Sequence, residues 1–388
     1  MRIAEVVAKF PPYFGGIGNS CLQYSLGLAE LGHRVEVYTS GYGDDGRDDL
    51  SGLTVHRLKH QFQVGHAPLL LGLLTIRDVD VIHLHYPFYF GAELIYFVSK
   101  LRGIPYVLTY HTDLVGKGLY GYVFRIHKKI VRRCILEGAS AIFVTSIDFS
   151  EHSELCEIES IQDRIVEVPL GVDTRRFVPM ERSERVREIL GIEQDGMVVM
   201  CVGQLDRQHY YKGIPVLLSA FARLECPGAK LVIIGDGDLR ESFEREARDL
   251  GIADAVVFAG RVDDDLLNDY LSVSDLVVQP STDRSEAFGM ALLEAQAAGR
   301  AVIASDLPGV RSHIRDGVDG LLSVPNDPTD LAKKIAFLLR DRALLESFGA
   351  RGRENSLSYS WEKVCLMLSG CLARIPSPRG SLPLKPRP

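Results

Sequence analysis

Short apolar segments alternate with segments of helical periodicity along most of the chain, and this alternation restricts the folds it can adopt. Neighbouring parallel strands need a long crossover connection, usually a helix, so the pattern predicts parallel sheets with helices on both faces. It runs through two successive halves of a 388-residue chain, a length that fits two domains better than one core. The predicted strands are 2–8, 34–39, 79–84, 106–110, 141–144 and 165–169 in the first half, and 197–203, 231–235, 255–259, 276–279, 301–304 and 320–323 in the second.

The predicted helices are 19–32 and 91–102 in the first half, 214–223, 238–250, 263–272, 288–298 and 328–341 in the second, and a last amphipathic helix from Ser360 to about Ala373. We therefore expect an α/β chain with doubly wound, Rossmann-like domains at 1–175 and 176–358, a C-terminal helix at 359–375 and a flexible proline-rich tail at 376–388. Doubly wound sheets bind ligands at the carboxyl ends of their strands, so site residues are sought there.

The composition is that of a globular protein and limits the classes of function. A net charge of −7 argues against a general nucleic-acid binder. Seven cysteines are scattered without a CxxC pair, which is typical of reduced cytoplasmic thiols. The longest apolar stretches, 68–76 and 86–98, are too short or too interrupted to span a bilayer, and the N-terminus lacks the pattern of an export signal. We expect a cytoplasmic protein.

The segment from Ser281 to Asp327 carries the most functional information. It places Glu286 just before Phe288 and Gly289, with Glu294 further along in the apolar helical run MALLEAQAA. Free N–H groups at a helix N-terminus bind phosphate oxygens, whereas carboxylates accept hydrogen bonds from sugar hydroxyls. Glu286 also fits a helix-capping role, but Glu294 among apolar residues needs a partner such as a ribose diol. Together these residues predict a sugar-nucleotide site.

Two more groups of residues follow the first strand of each half. Gly16 and Gly18 lie in a glycine-rich turn, where backbone amides can approach a phosphate, although the glycines also fit a simple tight turn. Arg207 and Lys212 follow the first strand of the second half, where cations can neutralise a departing nucleoside diphosphate. Solvated surface charges are the alternative interpretation of these two residues.

Three histidines lie in or after predicted strands. His111 follows a strand, so its side chain can project into a crevice at the end of the sheet, although a lone histidine more often has a structural role. His83 and His85 are two residues apart and so share one sheet face. Two histidines can begin a metal site, but no third ligand is apparent in the sequence, and we expect no metal.

A basic segment in the first half has aromatic and aliphatic residues between its charges and no acidic residue. A basic amphipathic helix of this kind can lie on anionic lipid headgroups. A helix packed on its own domain with a solvated charged face explains the pattern equally well. The candidate acceptor- or membrane-facing residues are Arg125, Lys128, Lys129, Arg132 and Arg133.

Seven segments stand in a characteristic order and spacing: FPPYFGGIGNS (10–20), VIHLHYP (81–87), LTYHTD (108–113), VPLGVDTRRF (168–177), VGQLDRQHYYKG (202–213), IIGDGDLR (233–240) and the 281–327 segment. As a set they resemble the retaining family-4 glycosyltransferases of the GT-B fold. The resemblance covers nearly the whole chain apart from the proline-rich tail. It implies two Rossmann-like domains that face each other across a cleft, with the last helix returning to the first domain.

The resemblance also implies roles for individual residues. Glu294 would hold the donor ribose, Glu286 the transferred sugar, and His111 would lie against that sugar. The family often has an arginine directly after the glycine that is Gly203 here, but this chain has Gln204, and Arg207 is the nearest substitute. The implied catalytic residues are His111, Lys212 and Glu286, and the implied donor-binding residues are Gly16, Gly18, Gly203, Arg207, Lys212, Gly235, Val262, Glu286, Ala287, Phe288, Gly289 and Glu294.

The function that follows is transfer of a hexose from a nucleotide-diphosphate sugar, such as GDP-mannose, UDP-glucose or UDP-GlcNAc, to a glycan or lipid-linked hydroxyl. We expect retention at the anomeric carbon, no metal or other cofactor, and a location in the cytoplasm or at the inner face of a membrane. The alternatives are a sugar-nucleotide epimerase, a sucrose- or glycogen-type synthase, and a non-catalytic sugar-nucleotide or membrane-surface binding protein. A nicotinamide-dependent dehydrogenase is disfavoured, because neither half has an intact GxGxxG motif followed by an acidic residue at the end of the second strand.

Overall fold

A computed structural model describes residues 1–12, 15–41, 46–50, 52–64, 67–113, 131–194 and 196–376. The chain forms two compact units. The first unit consists of Met1–Leu170 and the segment that begins at Trp361, and the second is Gly171–Ser360. The sequence interpretation placed the corresponding boundaries after residues 175 and 358.

The first unit is built on an eight-stranded sheet of order β10-β9-β8-β7-β1-β2-β4-β3, in which only β3 at the edge is antiparallel to its neighbour. The strands β5 and β6 form a separate antiparallel pair. Strands β7 and β8 are buried along their whole length, as expected for central strands covered on both faces. The strands are β1 Arg2–Val6, β2 Arg34–Ser40, β3 Gly46–Leu50, β4 Leu53–Leu58, β5 Phe62–Val64, β6 Ala67–Leu69, β7 Val81–Tyr86, β8 Tyr106–Tyr110, β9 Ile142–Val144 and β10 Ile165–Glu167.

The helices of the first unit include the last one of the chain. Helix α12 packs on α1, where the Trp361 ring contacts the Tyr24 ring edge-on at 5.3 Å. A side chain at Gly27 of α1 would place its Cβ 2.4 Å from the Cys365 sulfur, so glycine permits this close approach. The helices are α1 Gly16–Glu30, α2 Gly91–Arg102, α3 with described residues 131–138, α4 Ile147–His152 and α12 Trp361–Leu372.

The second unit contains a fully parallel six-stranded sheet of order β13-β12-β11-β14-β15-β16. One face of this sheet packs on α6 and α10, where Val199 and Ile303 join Leu217 and Leu338 in the core. The strands are β11 Val198–Val202, β12 Lys230–Ile234, β13 Val256–Gly260, β14 Leu276–Gln279, β15 Ala301–Ser305 and β16 Leu321–Ser323. The helices are α5 Glu184–Leu190, α6 Ile214–Phe221, α7 Arg240–Asp249, α8 Leu267–Ser272, α9 Met290–Ala297, α10 Pro328–Leu339 and α11 Arg342–Ser356.

The prediction of two α/β units with parallel sheets is confirmed. Each predicted strand is present, and the ends differ by two residues or fewer. The strands from β3 to β6 and the helices α4, α5 and α11 were not predicted. Strand β3 has the sequence GRDDL, whose glycine and aspartates disfavour strands, so antiparallel pairing with β4 overrides local preference there.

Candidate functional site

An ion pair at the carboxyl end of the second sheet joins two residues that the sequence singled out. Lys212 Nζ lies 2.5 Å from Glu286 Oε2, and the side chains are only 16% and 11% exposed. Lys212 follows β11 and Glu286 follows β14, and these two strands are neighbours in the sheet. The fold therefore brings together residues 74 positions apart in the chain. Partial burial strengthens the attraction between their charges relative to an exposed pair.

The backbone around Lys212 fixes its position. Residues Arg207–Lys212 form a short 3-10 helix, and the Asp206 side chain caps it by accepting hydrogen bonds from two backbone N–H groups. Gly213 then has φ +70°, and a Cβ there would lie 1.9 Å from the Pro280 carbonyl oxygen. The Thr282 N–H donates to the Tyr211 carbonyl at 2.8 Å. The two loops are thus held together backbone to backbone, and only glycine fits at position 213.

Gly203 provides the surface along which the Lys212 side chain runs. A Cβ on Gly203 would lie 3.3 Å from Cδ of Lys212. Gly235 approaches the same strand end, because its own Cβ would lie 1.8 Å from the Gly203 carbonyl oxygen. The Gly235 N–H donates to the Gly260 carbonyl at 2.8 Å, and Val262 lies two residues beyond, half-buried. The loops that follow β11, β12 and β13 therefore meet at one end of the sheet.

Glu286 lies just before the N-terminus of α9. Its Oε1 accepts a hydrogen bond from the Gly289 N–H at 3.2 Å, and Gly289 precedes the helix with φ +81°. The Glu286 carboxylate thus occupies one N–H at this end of α9, and the first turn of the helix contains no acidic residue. An anion such as a phosphate is stabilised where a lysine ammonium group lies beside the N-terminus of a helix.

Glu294 lies on α9 one turn after its start and is partly exposed. Burial raises the pKa of its carboxyl to about 7, with the charge of Asp264 acting in the same direction and Arg176 and Lys212 opposing it. Because the carboxyl is poorly solvated, hydroxyl donors from a ligand would stabilise its charged form. The role of Glu294 as a ribose ligand stays a prediction.

Arg207 is placed differently from Lys212. Its side chain is 82% exposed and pairs with Asp238 at 3.3 Å. The Arg207 N–H also donates to the Asp238 carboxylate at 3.1 Å. Solvent screens an exposed ion pair of this kind, so the Arg207 guanidinium attracts an anion at this end of the sheet less strongly than Lys212 does.

His313 supports the loop before α9 and was not found by sequence reasoning. Its Nε2 lies 2.9 Å from the Phe288 carbonyl oxygen, and its Nδ1 lies 3.1 Å from Oε1 of Gln296. Burial lowers the pKa of His313 to about 4, so the ring is neutral at pH 7. Its position in the run VRSHIRDG gives no local signal, because its partners are 17 and 25 residues away.

His111 belongs to a buried polar cluster in the first unit. It follows β8 directly, and its Nε2 lies 2.9 Å from Nδ1 of His85, while Nε2 of His85 lies 2.9 Å from the Glu5 carboxylate. His83 contacts the same carboxylate at 3.0 Å. The two β7 histidines share a sheet face, as their spacing predicted. Glu5 was missed, because its partners lie 78 and 80 residues further along the chain.

Gly16 and Gly18 lie in the first turn of α1. A Cβ on Gly18 would lie 2.6 Å from the Lys9 carbonyl oxygen, so this glycine allows α1 to pack closely on the segment after β1. Gly16 is exposed, and no capping side chain or acidic residue neutralises the helix N-terminus. Close packing is enough to explain why position 18 is a glycine, so no ligand is needed to explain it. The exposed Gly16 leaves its backbone N–H accessible to a ligand.

The basic segment is only partly described. Arg125, Lys128 and Lys129 lie outside the described residues. The Arg132 side chain is 11% exposed and pairs with Glu154 and Glu157, so its charge is already balanced within the protein. Arg133 is 62% exposed and pairs with Glu137 at 2.9 Å. Among helices within the described ranges, none combines the length and apolar character that crossing a membrane requires.

Comparison with known families and proteins identifies the class to which the chain belongs. Residues 14–176 match the model of Glycosyltransferase Family 4, and residues 182–355 match that of Glycosyl transferases group 1. A protein of Methanocaldococcus jannaschii, described as an uncharacterized glycosyltransferase, is 30% identical over 385 residues, which cover 94% of this chain and 96% of the relative. The phosphatidyl-myo-inositol mannosyltransferase of Mycobacterium tuberculosis is 32% identical over 387 residues, 94% of each chain.

Solved structures show the same fold. The sucrose-phosphate synthase from Thermosynechococcus elongatus matches with a TM-score of 0.76 and 25% identity, over 96% of this chain and 98% of that one. The HepE protein of Anabaena matches with a TM-score of 0.77 and 18% identity, over 97% and 100%. The chain therefore belongs to glycosyltransferase family 4 and has the GT-B fold.

Proposed function

We propose that this glycosyltransferase transfers a hexose from a nucleotide-diphosphate sugar to a hydroxyl acceptor with retention at the anomeric carbon and without a metal ion. The observation that carries the proposal is the Lys212–Glu286 pair beside the N-terminus of α9. It combines an ammonium and free N–H groups for phosphate oxygens with a carboxylate for sugar hydroxyls. A sugar nucleotide contains both kinds of partner.

The proposed reaction divides the chemistry between these residues. The bond between the anomeric carbon and the diphosphate oxygen breaks, and the acceptor oxygen forms a bond to the same face of that carbon. The leaving diphosphate takes the acceptor proton. Lys212 and the helix N-terminus stabilise the charge that grows on the diphosphate, while Glu286 orients the sugar and Glu294 accepts hydrogen bonds from the ribose. Lys212 provides a fixed positive charge, which a bound cation provides in other transferases.

The relatives suggest the substrates. The mycobacterial relative is named a phosphatidyl-myo-inositol mannosyltransferase, and another relative, 29% identical over 366 residues, is an O-antigen chain mannosyltransferase of Escherichia coli. We therefore favour GDP-mannose as donor and a lipid-linked or glycan hydroxyl as acceptor, with UDP-glucose and UDP-GlcNAc as the next donors to test. A lipid-linked acceptor would bring the protein to a membrane surface, for which we propose the inner face. Of the described candidate residues in the basic segment, only Arg133 is exposed, and its charge is paired with Glu137.

A synthase that uses a small phosphorylated acceptor is the second candidate. The neighbour with 25% identity, a sucrose-phosphate synthase, favours it. The donor site would be the same, and only the acceptor would differ. Testing a sugar phosphate beside lipid-linked and glycan acceptors distinguishes the two reactions.

The test is to incubate the protein with UDP-, GDP- and ADP-sugars, with and without these acceptors. Release of nucleoside diphosphate measures turnover, and NMR identifies the product. We expect an acceptor-dependent product with the donor's anomeric configuration, and unchanged turnover in EDTA. Lys212→Met should lower turnover by about 100-fold or more, the effect of removing a charge that stabilises the transition state. The control Lys334→Met breaks an ion pair with Asp330 on α10 and should change turnover less than about twofold.

A different experimental result would refute each part of the proposal. Isomerised donor in the absence of any acceptor would identify an epimerase. An inverted product would exclude retention, and loss of activity in EDTA would exclude metal independence. Equal losses for the two lysine variants would remove the special role of Lys212.

A further inference from the structure

The cluster around Glu5 places a carboxylate in the centre of the first sheet. Glu5 of β1 and both β7 histidines, His83 and His85, are fully buried. A buried charge of this kind is costly unless hydrogen-bond donors surround it. The two imidazole rings provide these donors at 3.0 and 2.9 Å. Burial opposes ionisation of Glu5, but the charge and hydrogen bond of His83 and the hydrogen bond of His85 outweigh it and lower its pKa to about 2.

The positions of the ring protons follow from these contacts. A carboxylate only accepts hydrogen bonds, so His83 donates from Nδ1 and His85 donates from Nε2. A neutral His85 then has a lone pair on Nδ1, which lies 2.9 Å from Nε2 of His111. Two lone pairs cannot form this bond, so His111 carries its proton on Nε2 and has a lone pair on Nδ1.

The neighbouring groups are compatible with this arrangement. Burial lowers the pKa of His85 and, together with the nearby histidines, places the pKa of His111 well below its usual value. From α1, Tyr24 and Cys21 pack on the cluster, and burial raises the pKa of each well above its ordinary value. On β8, Thr109 Oγ1 lies 2.7 Å from Nε2 of His83 and completes the hydrogen bonding of that ring.

The same contacts argue against a metal ion in the cluster. The ligand atoms of Glu5, Cys21 and His85 lie within 4.8 Å of one another, the one such group of three among the described residues. A metal ion would have to displace both the Cys21 thiol proton, because metals bind the thiolate, and the Nε2 proton of His85 that is directed at Glu5. The Glu5 carboxylate already has two hydrogen-bond donors without a metal.

We propose that Glu5 and His85 are positioning residues that hold His111 in the tautomer with Nε2 protonated, so that Nδ1 accepts a hydrogen bond from a hydroxyl group of the carbohydrate substrate. The role of Nδ1 rests on the proposed function, whereas the tautomer is a property of the protein alone. Within the part of the chain that the structure describes, Nδ1 of His111 has no hydrogen-bond partner. The His111 and His85 rings are nearly parallel, at an angle of 17°, and their centroids are 5.2 Å apart, which is the spacing expected of two rings joined by this one hydrogen bond.

The first experiment is long-range proton–nitrogen NMR of the protein labelled with ¹⁵N-histidine, without substrate. The His111 signal is assigned by its disappearance in His111→Asn. We expect wild-type His111 to show the tautomer protonated on Nε2. A wild-type proton on Nδ1 would overturn the proposal even if no variant folded. Glu5→Leu removes both acceptor oxygens and should give a mixture of tautomers. His85→Phe keeps an aromatic ring at that position but removes its nitrogens, and it should do the same. An unchanged tautomer in both variants would also overturn it.

The second experiment measures transfer by the same proteins. Glu5→Leu and His85→Phe should each lower kcat/KM by about tenfold, the effect of one lost substrate hydrogen bond. Thr109→Val alters the same buried cluster through His83 and should change kcat/KM less than about twofold. An equal loss in Thr109→Val would show that the cluster only supports the fold. If no donor is turned over, the proposed function fails while the NMR result still decides the tautomer.

Discussion

Gly213 is the position where a single methyl group tests the contact between the Lys212 loop and the Pro280 loop. Gly213 has φ +70°, where an alanine costs about 1–2 kcal/mol in any surroundings. Its Cβ would also lie 1.9 Å from the Pro280 carbonyl oxygen. A carbon–oxygen contact needs about 3.3 Å, so the two loops must separate by roughly 1.4 Å. Such a shift breaks the 2.8 Å bond from Thr282 N–H to the Tyr211 carbonyl, worth about 1 kcal/mol more.

Gly228 provides a matched control for this substitution. It has φ +82°, but no atom lies within 4 Å of a Cβ built on it. Gly228→Ala should therefore show the backbone penalty alone. For a unit of this size, each kcal/mol lowers Tm by about 2–4 °C. We expect Gly228→Ala to lower Tm by a few degrees with full activity.

Gly213→Ala should lower Tm further than Gly228→Ala and reduce turnover by about 100-fold, because a displacement of about 1 Å at a catalytic group has an effect of this size. Differential scanning fluorimetry and release of nucleoside diphosphate measure the two effects. Equal Tm values and equal turnover for the two alanine variants would refute the reasoning, since they would show that the loops separate without consequence for Lys212.

Two further substitutions test the acidic residues of the site. Glu294→Gln should raise Tm at pH 8 and leave it nearly unchanged below pH 4.5. Folding raises the pKa of Glu294 from 4.5 to about 7, so the stability of the wild-type protein falls as the pH rises between those values. A Tm difference that does not depend on pH would contradict this. Glu286→Gln removes the carboxylate that competes with a diphosphate for Lys212. Calorimetry should therefore show several-fold tighter binding of free GDP or UDP, while the transfer assay should show much slower turnover. Weaker binding of the nucleoside diphosphate would contradict the role given to the pair.

The sequence predicted the parts of the fold that depend on local patterns. Apolar strands such as β12 and β14, and helices such as α10 with proline in its first turn and Asp327 as cap, are legible from a few consecutive residues. The antiparallel edge formed by β3 and β4 is not, because its stability comes from pairing and not from the preferences of GRDDL. Tertiary context decides those strands.

The site shows the same division between local and long-range signals. Glu286, Lys212 and Glu294 were chosen as candidates because each stands in a local motif, and the structure joins the first two in an ion pair. Glu5 and His313 were missed, because their partners lie up to 80 and 25 residues away, respectively. Glu5 in RIAEV had one usable signal, a carboxylate flanked by the apolar residues Ala4 and Val6. A buried carboxylate in a central strand requires partners on a neighbouring strand, and His83-Leu84-His85 on β7 places two imidazole rings on one sheet face.

Lys212 and Glu286 form one unit under the proposed function, since neither charge can be left alone. Their side chains are largely enclosed, so separating them without replacement partners would cost more than at the surface. A diphosphate can replace Glu286 as the partner of Lys212, and a sugar hydroxyl can replace Lys212 as the partner of Glu286. A nucleoside diphosphate alone meets the first requirement only, and a free sugar meets the second only. A sugar nucleotide meets both at once, so the ion pair itself selects for the intact donor.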